Sequence, residues 1–352
     1  MRLGIVVDYS DDFGTALPAV QEAERLGVDV VGVAEAYSFD AVSRLGYLAA
    51  ATEKVALQSA ILNVFSRTPA AIAMTAAGLD DLSGGRFELG LGASGPQVVE
   101  GFHGVPFATP LTRIRETVEV CRTVWRREPL TYDGRAVRVP LPADQGTGLG
   151  KPLRLVNRVR RERIPITIAA LTPASVAQAA RIAEGWLPLF YLPERAHLAW
   201  GDALAAGRAD RDPGLGPLDV QVTVPLLIGD GPALDAARAA YRERVALYVG
   251  GMGARGANFY ADLAARYGFA DAAAVVQERY LAGDRAGAAD AVPGELLEGT
   301  ALIGDEAQVR ARLRALADSG VTTLTVQPLA PTPGARLEQL AAARTLLDGL
   351  AG

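Results

Sequence analysis

The chain has 352 residues, 50% of them hydrophobic and 21% charged, with a net charge of −5. This is the composition of a globular protein with ample material for a core, and it excludes a general attraction to nucleic acid or to anionic membranes. No apolar run nears 18 residues and no charged-then-apolar leader follows Met1, which gives the expectation of a cytoplasmic protein without a membrane span.

In chain order, Leu3–Val7 reads as an apolar strand ending in Asp8 and Tyr9. Gly14–Leu26 has helical periodicity and stops at Gly27. Val28–Val33 is a second strand, Ala41–Thr52 a helix, and Val55–Leu62 a third strand ending in Asn63. Thr68–Leu82 is a helix with Thr68 as its cap and Pro69 at its first position. Phe87–Leu91 is the fourth strand and Leu111–Arg127 its helix. That helix holds Cys121, the single cysteine, which reads as a small core residue and permits no intrachain disulfide.

Residues 128–163 then break the rhythm with Pro and Gly, and Tyr132-Asp133-Gly134-Arg135 looks like a hairpin turn. Regularity resumes with Ile166–Ala170 and its helix Pro173–Ile182, then Trp186–Phe190 with Pro193–Ala206, then Val220–Ile228 with Pro232–Tyr248. A second insertion fills Val249–Gly299, a helix covers Asp305–Ser319, and Thr322–Gln327 with Gly334–Leu347 closes the series. Eight strand–helix units imply right-handed crossovers and a (β/α)₈ barrel of one domain, with insertions at about 128–164 and 249–299.

In such a barrel the site lies just beyond the strand ends. The stretch that organises it is Ser83–Gly104, SGGRFELGLGASGPQVVEGFHG, where clustered glycines signal close backbone approach or positive φ. The strand ends supply Asp8, Tyr9, Glu35, Tyr37, Asn63, Ser94, Glu100, His103, Thr172, Ser175, Phe190, Tyr191, Gly229, Asp230 and Gln327. Only two histidines are present, and no clustered Cys or HExxH motif, so no metal site is expected. GLGASG approaches the dinucleotide fingerprint without matching it, and no helix evidently begins there.

The loop Ala169–Ser175 opens a helix with free N–H groups and two hydroxyls. It suits a phosphate, or Thr172 simply caps the helix. His103 is either a general acid or a structural hydrogen-bonding residue. Glu35 is either a buried carboxylate needing a partner or a rim residue in water. The cationic segment Lys151–Arg163 is either a solvated face or a landing site for a polyanionic tail or acidic peptide.

The strings LSGGRFELGLG (82–92), SGPQVVEGFHGVPF (94–107), GTGLGKPL (146–153), GGMGARGANFYADLAARYG (250–268) and ALADSGVTTLTV (315–326) resemble the luciferase-like monooxygenase superfamily, above all its branch that uses the deazaflavin coenzyme F420. The resemblance implies a homodimeric barrel with the cofactor at the strand ends. Ala60, Ile61 and Asn63 would form a bulge, often with a non-prolyl cis peptide, behind the ring. Glu35, Ser94 and Gly95 would lie near the ring, Arg67 would join the cofactor site, and Ala169, Ala170, Leu171, Thr172 and Ser175 would hold its phosphate. The cationic segment would then meet the cofactor's oligoglutamate tail.

The deazaflavin glucose-6-phosphate dehydrogenases carry a His and a Glu where this chain has Glu35-Ala36-Tyr37 and Ser94-Gly95-Pro96, which speaks against sugar-phosphate oxidation. The expected reaction is hydride transfer from reduced F420 to an activated C=C or C=N bond of a small molecule or peptide. His103 is the first proton donor, with Glu35, Tyr37 and Tyr9 behind it, and Phe65, Phe102 and Tyr191 are apolar walls. The alternatives are an FMN-dependent monooxygenase and a non-catalytic partner subunit.

Overall fold

Eight parallel strands close into a barrel: Arg2–Val7, Val30–Val33, Ala56–Ser59 with its continuation Leu62–Asn63, Phe87–Gly92, Ile166–Ala169, Gly185–Leu187, Asp219–Ile228 and Thr323–Pro328. The structure is a computed structural model and describes residues 1–8, 12–253, 256 and 258–350. The first strand pairs with the eighth through Arg2↔Thr323 and with the second through Gly4↔Val30, while Gly185↔Asp219 joins the sixth to the seventh. The strands are near-continuous apolar runs because helices cover the outer face of the sheet while its inner face fills the barrel. In the second strand all four residues are buried.

The helix starts follow their sequence signals. Thr68 accepts from Ala71 N–H, Thr172 from Ser175 N–H, and Asp305 forms a capping box with Gln308. Two departures concern irregular backbone. A short helix, Pro96–Gly101, does begin after GLGASG, capped by Gly95. An extra strand, Leu302–Gly304, lies beside the end of the seventh through Leu226↔Leu302, and helix Glu306–Asp318 leads from it to the eighth strand.

Polar side chains fill the barrel where the strands begin. Arg2 pairs with Glu88 at 2.6 Å, Gln58 donates to Gln221 at 2.9 Å, Gln221 donates to Thr167 at 3.0 Å, and Asp219 accepts from Thr323 at 2.8 Å. Keeping these bonds within one closed layer satisfies groups that burial would otherwise penalise.

The first insertion is pinned by Glu116, on helix Pro110–Trp125. Its carboxylate accepts from the N–H groups of Arg135, Ala136 and Val137 at 2.8–3.0 Å, holding the antiparallel pair Tyr132–Asp133 and Arg138–Val139. The second insertion is pinned by Asn258. It donates to the carbonyls of Tyr248 and Val249 and accepts from the N–H groups of Tyr260 and Ala261. Rings of Phe190, Tyr248 and Tyr260 pack edge to face around that anchor. Ala254, Arg255 and Ala257 of the same string lie outside the described residues. No helix among the described residues is long and apolar enough to cross a membrane.

Candidate active site

The third strand shapes the mouth of the barrel. Its register with the fourth runs Gln58↔Glu88 and then Leu62↔Leu91, so three residues, Ser59–Ile61, face only two, Leu89 and Gly90. The extra residue is a bulge, and the Ala60–Ile61 peptide within it is cis. The Ser59 hydroxyl replaces the lost ladder bonds, donating to the Gly90 carbonyl and accepting from its N–H, both at 2.9 Å. Glycines on both neighbouring strands make room. A Cβ at Gly32 would lie 3.1 Å from the Ala60 Cβ, one at Gly92 2.7 Å from Ile61 Cδ1, and one at Gly90 would fall on the Ser59 carbonyl oxygen. Ile61 therefore lies over Gly90 and Gly92, beside Ala169, as an apolar floor.

Asn63 stands at the edge of this floor and is buried. Its Oδ1 accepts from Phe65 N–H at 2.9 Å, while its Nδ2 has no hydrogen-bond partner among the described residues. A buried amide donor without a partner costs about 1–3 kcal/mol, so this atom is poised for an acceptor on a ligand.

Glu35 does find a partner, on the third-strand loop. Arg67 donates to both its oxygens, at 2.6 and 2.9 Å, and Ala41 N–H donates to it at 2.9 Å. The Glu35 bond raises the Arg67 guanidinium pKa against its partial burial. The carboxylate thus ties the second and third loops together and caps helix Ala41–Ala51. Tyr37, 68% exposed, tilts against Phe102, 64% exposed, with ring centres 6.2 Å apart.

The fourth loop starts from Ser94, whose φ of 58° is left-handed; Gly95, at −122°, is extended. Glu100 accepts from Phe107 N–H at 3.1 Å and so holds the turn beyond it. His103 is half-buried, its ring edge to face with Phe102 at 5.3 Å. Its nitrogens make no hydrogen bond to the described residues.

The fifth loop is held by its carbonyls. Trp186 Nε1 donates to Ala170 O at 3.0 Å, and Trp200 Nε1 and Arg266 donate to Leu171 O at 2.7 and 2.9 Å. That leaves the N–H groups of Leu171 and Thr172 without acceptors among the described residues. Thr172 Oγ1 accepts from Ser175 N–H and donates to Ser175 Oγ at 2.9 Å, and Ser175 Oγ donates to the Thr172 carbonyl at 2.9 Å, so the cap exists and both hydroxyl protons are engaged within it. Sequence reasoning missed Trp186, Trp200 and Arg266 as partners of this loop, because they come from later units; Arg266 sits in the quoted 250–268 string, but nothing in that string names its partner.

Two expectations are corrected, those for Tyr191 and for the cationic segment. Tyr191 is no mouth wall: it stacks on Trp200 at 5.9 Å and donates to Ser319 O, packed between helices. Phe65 is buried between Phe107, 5.2 Å away, and the Arg113 guanidinium at 5.0 Å. The end of the cationic segment, Arg161 and Arg163, lies at the strand starts, away from the barrel mouth where a cofactor tail was expected. Arg161 clamps Asp80 and donates to the carbonyl of Phe87, the first residue of the fourth strand, and Arg163 pairs with Glu184 at 2.9 Å. Tyr9 lies outside the described residues, and no group of three or more metal-binding side chains occurs among those described.

A family model described as luciferase-like monooxygenase matches residues 2–323. A Mycobacterium tuberculosis protein assigned as a coenzyme F420-dependent oxidoreductase is 39% identical over 337 residues, covering 93% of this chain and 94% of its own. A 5,10-methylenetetrahydromethanopterin reductase of Archaeoglobus fulgidus is 28% identical over 320 residues, 89% of each chain. Among solved structures, the coenzyme F420-dependent tetrahydromethanopterin reductase of Methanopyrus kandleri superposes with a TM-score of 0.78, at 23% identity and 97% coverage of both chains.

Proposed function

This chain belongs to the luciferase-like monooxygenase family, and on that premise we propose that it is a coenzyme F420-dependent oxidoreductase reducing an activated C=C or C=N bond of a small organic substrate. The observation that carries the reading is the unpartnered Asn63 Nδ2 at the edge of the Ile61 floor. A flat heteroaromatic ring with carbonyl oxygens at one edge fits an apolar floor with one buried donor beside it. A phosphate fits the adjoining fifth loop, where N–H groups and two hydroxyls open helix Pro173–Ile182.

When bound, reduced F420 supplies a hydride. The chain's residues supply the rest. Asn63 fixes the ring edge by one hydrogen bond. The open N–H groups of Leu171 and Thr172 hold the phosphate, and the Thr172 and Ser175 hydroxyls turn from their mutual bond to meet it. The Glu35–Arg67 pair keeps the second and third loops in register, with both carboxylate oxygens engaged, so Glu35 is a positioning residue. His103 holds the proton that the reduced substrate needs, its ring held edge to face by Phe102.

An anaerobic assay tests this: reduced F420 is mixed with the protein and either 2-cyclohexenone or a cyclic imine, and the return of oxidised F420 is followed by absorbance. The expected result is protein-dependent reoxidation with one of the two acceptors. Oxygen-dependent turnover with reduced FMN, and none with F420, would replace this reading with the monooxygenase one.

A further inference from the structure

A hollow of about 570 Å³ lies between helix Pro232–Ala246 and the second insertion, and none of its lining residues belongs to the Ile61 floor. It is lined by Glu243 and Arg244 of helix Pro232–Ala246, by Leu247 just beyond, and by Tyr280 and Arg285 on the facing helices. That volume suits a small organic molecule. Tyr280 is a fixed flat wall. The backbones of Gly250 and Gly251 lie against it, and a Cβ at either would come to 2.5 Å from its side chain. The Arg285 guanidinium lies 5.3 Å from the centre of the same ring.

The charges here are unbalanced. Among the described residues, neither Arg244 nor Arg285 is paired with a carboxylate, and Glu243 forms no ion pair. Two guanidiniums therefore face the hollow against one carboxylate. The Arg244 side chain makes a single hydrogen bond, to the neutral amide oxygen of Gln327 at 3.0 Å. A guanidinium bonded only to an amide keeps its fork open for a carboxylate, and such charge-assisted bonds are about twice as strong as neutral ones.

We propose that this hollow is a second ligand site, for a flat aryl carboxylate. The aromatic body lies along Tyr280 and the carboxylate is taken by Arg244 and Arg285. Gln327 belongs to the eighth strand, so the site is wired to the barrel mouth: a bound carboxylate competes with Gln327 for Arg244.

The test is isothermal titration of the full chain with 2-naphthoate and with its neutral analogue 2-naphthalenemethanol. Naphthoate is expected to bind at one site, and the alcohol about tenfold more weakly or worse, the equivalent of roughly 1.4 kcal/mol. Arg285→Ala and Arg244→Gln should each weaken naphthoate about tenfold, and Gln327→Leu should tighten it severalfold by freeing Arg244. Arg285 is exposed on the surface, so its variant folds. Equal binding of acid and alcohol, native affinity in Arg285→Ala, or no binding of naphthoate at millimolar concentration would overturn the proposal.

Discussion

His103 and Glu35 both stood as acid–base candidates, and their surroundings separate them. The His103 ring is held by one aromatic edge and by no hydrogen bond among the described residues, so its nitrogens are free to exchange a proton with a substrate. A positioned general acid contributes about 10²–10⁴ in rate. His103→Ala should therefore lower kcat about 100-fold or more while the dissociation constant for F420 stays unchanged; an unaffected kcat would remove it from this role. Glu35→Gln should instead cost stability, about 1–3 kcal/mol for half of a partly buried ion pair, and leave the shape of the kcat pH profile as in the native protein. A lost limb in that profile would make Glu35 a proton donor after all. In the sequence both residues were visible as strand-end polar groups. The partner that decides Glu35 was not, because Arg67 lies 32 positions away and meets it only across two loops.

Among elements, the third strand matters most to the site, and its shape was written in its neighbours. Gly32, Gly90 and Gly92 sit inside buried strands, where glycine weakens a sheet unless another backbone presses close. Taken together, they mark a bulge in the strand between them; in the sequence only Gly90 and Gly92 stood out, as part of a cluster signalling close backbone approach or positive φ, and Gly32 on the second strand was not joined to them. Gly90→Ala places a methyl group on the Ser59 carbonyl, so it should cost about 3 kcal/mol or more and lower Tm by roughly 5 °C. The variant Gly78→Ala is the matched control, since a Cβ at Gly78 meets nothing within 4 Å. Equal Tm values for the two variants would mean that the bulge yields. Capping signals such as Thr68-Pro69 and Thr172-Pro173 were legible because they act within one turn. The extra strand Leu302–Gly304 was not, because its pairing partner lies about 76 residues earlier, at Leu226.

At the scale of the whole molecule the barrel divides its polar groups by end. The closed network at the strand starts serves stability. Burial pushes the Glu88 carboxyl above its ordinary value, against the pull of Arg2. The folded chain thus holds this proton to higher pH than the unfolded one. The group's contribution is fully present below the ordinary carboxylate value of 4.5 and is lost as pH rises through the raised one. Glu88→Gln should accordingly give a Tm that falls less steeply with pH above 4.5 than the native Tm, and an unchanged slope would contradict this. The same division bears on the cationic segment, for which the sequence left a solvated face and a tail-binding site open: its charge was legible, but the place of Arg161 and Arg163 at the strand starts depends on contacts with Asp80, Phe87 and Glu184 that no local pattern encodes.

The strand ends, by contrast, leave donors open, and the central claim is that these donors grip a deazaflavin. A fluorescence titration of the native protein and of Asn63→Leu with F420 and with FMN tests it most directly. The account predicts that native protein binds F420 at least about tenfold more tightly than FMN, and that Asn63→Leu weakens F420 by about tenfold, the worth of one buried hydrogen bond. FMN binding as tightly as F420, or full F420 affinity in Asn63→Leu, would contradict it.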